Sequence, residues 1–61
     1  MLLKLEIDIP EIQAEAVSQV LKRIGFSEIR ALSYDEEEAY NAQYGLEKIR
    51  ESLAVQGFNP R

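Results

Sequence analysis

A chain of 61 residues forms one domain at most, here taken as 1–61, and buries only about 60% of its unfolded surface, so its core is thin. With no Cys and no His, disulfides and the usual zinc and haem ligands are excluded, and 46% hydrophobic with 30% charged residues is the composition of a folded chain. Seven Lys and Arg against eleven Asp and Glu give a net charge of −4, which opposes nucleic-acid phosphates and anionic membrane surfaces. The longest apolar runs, Met1-Leu2-Leu3 and Leu53-Ala54-Val55, are too short for a transmembrane helix or a signal peptide, so the expected location is cytoplasmic.

Residues 2–9 alternate, with Leu3, Leu5, Ile7 and Ile9 on one side and Lys4, Glu6 and Asp8 on the other. That period of two predicts a half-buried strand. Pro10 suits the first turn of a following helix, where its missing N–H is not needed, and Glu11 suits the positive end of that helix.

The period then lengthens. Ile12, Ala16, Val20 and Ile24 fall four apart, with Val17 and Leu21 beside them, which predicts a first helix over residues 10–24. Its apolar stripe is wide enough to meet two neighbours, a sheet and another helix. Lys22 and Arg23 favour its C-terminal end.

Leu21 to Phe26 and Leu53 to Phe58 share the pattern Leu-x-x-x-Gly-Phe. In a Schellman cap, glycine takes the left-handed position past the helix end and the next residue folds back on the Leu. Both Gly25 and Gly57 are therefore expected to be left-handed caps.

Residues 27–34 alternate imperfectly, with Ile29 and Ala31 on one face and Leu32 and Tyr34 on the other, between a helix stop at Gly25 and a helix start at Asp35; they are read as a second strand, with a helix, giving strand-helix-helix, as the alternative. The second helix spans residues 35–56. Asp35 is its N-cap, Glu38 completes a capping box, and Glu36 and Glu37 lie in the first turn. Ala39, Ala42, Leu46, Ile49 and Leu53 step by three and four as a narrow seam for a core or a partner helix. Tyr40, Tyr44 and Val55 form a second stripe about 120° round at 100° per residue. The expected fold is thus α+β, a small βαβα unit with both helices on one face of the sheet. Two strands shield a helix layer poorly, so a homodimer is expected.

Candidate sites are few. On a helix, only Asp35 and Glu38 of the acidic run share a side, too few oxygen ligands for Ca²⁺ or Mg²⁺, so no metal is expected. A nucleophile would have to be Ser18, Ser27, Ser33 or Ser52, none with a patterned base nearby, so neither catalysis nor a cofactor is expected. Single glycines make no phosphate loop. The residues expected to meet a partner or a second copy are Ala39, Tyr40, Ala42, Tyr44, Leu46, Ile49 and Leu53, and Asp35, Glu36, Glu37 and Glu38 would meet a basic partner. A non-enzymatic, acidic interaction module is the functional expectation. An enzyme subunit active only within a larger assembly is the remaining alternative from a different class.

The run Leu3-Lys4-Leu5-Glu6-Ile7-Asp8, then Pro10-Glu11 and an amphipathic helix closed by Gly25, resembles the opening of bacterial ribbon-helix-helix antitoxins of toxin–antitoxin pairs. The acidic second half, with Tyr40, Ala42, Leu46, Ile49 and Phe58, is similar in layout to an antitoxin's toxin-wrapping tail. The resemblance covers residues 2–30 and general character. It implies a strand-helix-helix dimer that neutralises a toxin and binds operator DNA through the outward strand residues, here Lys4, Glu6 and Asp8.

Overall fold

The structure is a computed structural model and describes residues 1–58. Three helices follow one another: α1 Glu11–Arg23, α2 Phe26–Leu32 and α3 Glu36–Val55. Among the described residues there is no strand, so the α+β expectation is overturned, in both its βαβα and its strand-helix-helix form. Residues 2–9 have no ladder partner within the chain, and alternation alone supplies none of the backbone hydrogen bonds that make a strand.

The segment read as a second strand is mostly helix. Gly25 is the N-cap of α2, and its carbonyl accepts from the Ile29 N–H at 3.2 Å. Ser33 closes the other end: its N–H bonds the Arg30 carbonyl at 3.1 Å and its hydroxyl the Ile29 carbonyl at 2.6 Å. A seven-residue helix is not stable alone. Tertiary packing decides here, because a helix puts Ile29 on α3 at 6% exposure and lays the Phe26 ring 4.7 Å from that of Tyr40. Leu32 and Tyr34 face water.

The two outer helices match their sequence signals closely. α1 begins after Pro10, whose carbonyl accepts from Gln13 and Ala14 at 3.0 and 3.1 Å. Asp35 caps α3 by accepting from the Glu38 N–H at 2.8 Å, and the Glu38 carboxylate reaches back to the Tyr34 N–H at 2.6 Å. This is the reciprocal arrangement of a capping box, with the return bond one residue further out. At the far end Gly57 has φ +100, Gly57 N–H bonds the Ala54 carbonyl at 3.0 Å, and Phe58 N–H bonds the Leu53 carbonyl at 2.9 Å. These are the paired bonds of a Schellman cap. Gly25 is different: its φ is −102, in the extended region, so it is a connector and not a left-handed cap. The phenylalanine after it opens α2 instead of folding back.

α1 and α2 each pack on α3. Ser18 on α1 is 1% exposed and donates its hydroxyl to the Phe58 carbonyl at 2.9 Å, tying α1 to the C-terminal cap of α3. Ala14, Ile29 and Ala39 are the buried apolar side chains. Leu21, Ile24, Leu46 and Leu53 are half-buried around them. The molecule is flat, 33 × 29 × 16 Å, and its radius of gyration of 12.4 Å exceeds the roughly 10.5 Å of a compact chain of this length.

Candidate functional site: two open apolar faces

α1 has two apolar faces, as its wide stripe implied. At 100° per residue, Ala14, Ser18 and Leu21 lie on one side and meet α3. Ile12, Ala16 and Val20 lie on the opposite side, where Ile12 is 77% and Val20 57% exposed. No sheet covers them. Before α1, the segment 2–9, which has no regular secondary structure, leaves Leu3, Leu5 and Ile7 more than 70% exposed.

The seam on α3 is occupied within the chain. Ala39 is fully buried, and Ala42, Leu46 and Leu53 are half-buried toward α1 and α2, so of the expected contact residues these four face their own chain. Ile49 lies at the seam's edge, 38% exposed. Tyr40 and Tyr44 remain on the outside, Tyr40 with one side of its ring against Phe26. The expected residues therefore do not form one surface.

The acidic run divides similarly. Asp35 and Glu38 are engaged in capping α3, while Glu36 and Glu37 point into solvent. No group of three or more acidic side chains among the described residues is placed to hold a metal ion. Glu28 at the start of α2 has its pKa lowered, first by the Ser27 hydroxyl that donates to it at 2.8 Å, then by the backbone N–H groups of that helix start.

Three of the four candidate serines have structural roles, and Ser52 lies exposed on α3. Ser18, Ser27 and Ser33 donate to Phe58, Glu28 and Ile29 respectively. A shallow groove of about 100 Å³ between Leu21, Ile24, Ile29 and Leu46, rimmed by Lys22, Glu47 and Arg50, and another of about 260 Å³ along α3, are smaller than the roughly 300–1,000 Å³ of typical ligand sites. The wide α1 stripe was legible in the sequence; its division into a packed Ala14–Ser18–Leu21 side and an open Ile12–Ala16–Val20 side was not read, although the spacing carries it.

No helix of the described residues is long and apolar enough to cross a membrane. Comparison with curated proteins and with solved structures gives no match. One family matches over residues 1–61, the whole length, and is described as a family of unknown function, DUF7706; the chain belongs to that family.

Proposed function

We propose that this chain is a non-enzymatic protein–protein interaction module that works as a homodimer. One observation carries the reading. The accessible surface is 5468 Å², whereas a monomeric protein of 7.0 kDa has about 4,000 Å². The excess, about 1,400 Å², is larger than the roughly 800 Å² that each partner buries in an interface of standard size. The exposed large apolar side chains include Leu3, Leu5 and Ile7 of the 2–9 segment and Ile12, Val20, Tyr44 and Val55 of α1 and α3. Exposed apolar side chains grouped on one segment and one helix face are a feature of association surfaces.

The antitoxin-like alternative asks Lys4, Glu6 and Asp8 to approach DNA. Those positions are exposed but carry one cation against two anions, which opposes phosphate. The interaction module that binds no DNA is the better supported of the two. Folding coupled to dimerisation makes the melting temperature rise with protein concentration. A melt followed by far-UV circular dichroism across a hundredfold concentration range tests it. The midpoint should climb steadily, and a midpoint independent of concentration overturns the reading.

A further inference from the structure

The geometry points to an exchange of arms: residues 2–9 of each chain lie along the outer face of α1 in a second copy, covering Ile12, Ala16 and Val20. This rests on the homodimer reading and names the surfaces that meet.

The arm and the stripe have matching repeats. Side chains on one side of an extended segment recur every ~6.7 Å, and residues four apart on a helix recur every ~6 Å. Leu3, Leu5 and Ile7 can thus seat beside successive residues of the stripe while Lys4, Glu6 and Asp8 stay in water. The stripe ends at Arg23 and is flanked by Gln13 and Gln19, so seating the arm buries no unpaired carboxylate.

The chain's own arm does not reach this face. Pro10 has φ −61 and ψ 152, and its carbonyl is held by the first turn of α1. A tight reversal at Pro10 and Glu11 would need a left-handed second residue, but Glu11 is already helical, and Ile12 and Val20 stay exposed beside the chain's own arm. The arm accordingly leaves Ile12 and Val20 of α1 uncovered. Pairing of the two arms with each other is the weaker solution, because a two-stranded ribbon is marginal in water and the α1 stripe would stay exposed. Arm on helix covers both surfaces in one contact, twice per dimer. The area is sufficient, since the excess over a monomer's expected surface exceeds what one side of a standard interface needs.

The chain has no cysteine, so introduced thiols report contacts directly. Leu5 and Ala16 are the midpoints of arm and stripe, and both are exposed, so L5C and A16C leave the helical core intact. Circular dichroism of each reduced variant checks this. The two variants are mixed in denaturant, refolded together and oxidised, and each is treated alone in parallel. Covalent dimer as the main product of the mixture, with background levels from either variant alone, is the expected result. Dimer from L5C alone means arm against arm, and dimer from A16C alone means helix against helix; either overturns the exchange. So does an intramolecular disulfide in the L5C/A16C double variant at high dilution. No cross-link from a chain that still sediments at twice its mass overturns the exchange and spares the homodimer. No cross-link from a monomer overturns both.

Discussion

Gly57 and Gly25 follow the same sequence pattern and do different things. At Gly57 the positive φ is a region that a Cβ disfavours, so Gly57→Ala should lower stability by about 1 kcal/mol. At Gly25 the backbone suits any residue, and an added Cβ meets only the carboxylate tip of Glu28 at 3.0 Å, a flexible group that can swing away. Gly25→Ala should therefore melt close to wild type. Urea unfolding of the two variants side by side checks the pair, and equal losses would contradict the caps as described. Ser18→Ala should cost about 1–2 kcal/mol, because the Phe58 carbonyl loses its donor in a nearly dry contact. Glu28 gives a pH signature of defined sign. Its pKa in the folded chain is lowered, so its stabilising effect is present above the ordinary value near 4.5 and is lost as pH falls through the lowered one. Glu28→Gln should flatten the acid limb of stability against pH without shifting stability's response near neutrality.

Each helix depends on its neighbours to a different degree. α3 runs for 20 residues with a capping box at one end and a Schellman cap at the other, and was legible almost to the residue because both caps are written in side chains local to it. α1 was legible for the same reason, since its period and its proline start are local. α2 was not. Residues 26–32 have only two turns, and what selects helix is the seat of Ile29 on α3 and the Phe26–Tyr40 contact, neither visible within the segment. The first strand was misread for the complementary reason: alternation reports a face to be buried, not the partner that supplies hydrogen bonds. Ile29→Ala should accordingly detach α2, costing about 2–5 kcal/mol for a fully buried site. In hydrogen exchange the amides of α2 should lose protection before those of α3, and uniform loss across both would contradict this order.

At the scale of the whole molecule, two buried alanines, Ile29 and a buried serine hold together a chain whose larger apolar side chains mostly face outward. The α3 seam, expected to meet a partner, is taken up by α1 and α2, while the sequence's other apolar stripes, on the arm and on α1, are left open. This inversion was hard to read because both kinds of stripe look alike until the helices are placed. Under the proposed homodimer, a second copy closes the open surface. The most direct measurement is sedimentation equilibrium on the wild-type chain over micromolar concentrations. It should fit a reversible association to twice the 7.0 kDa chain mass, and a chain that stays at 7.0 kDa throughout would contradict the account.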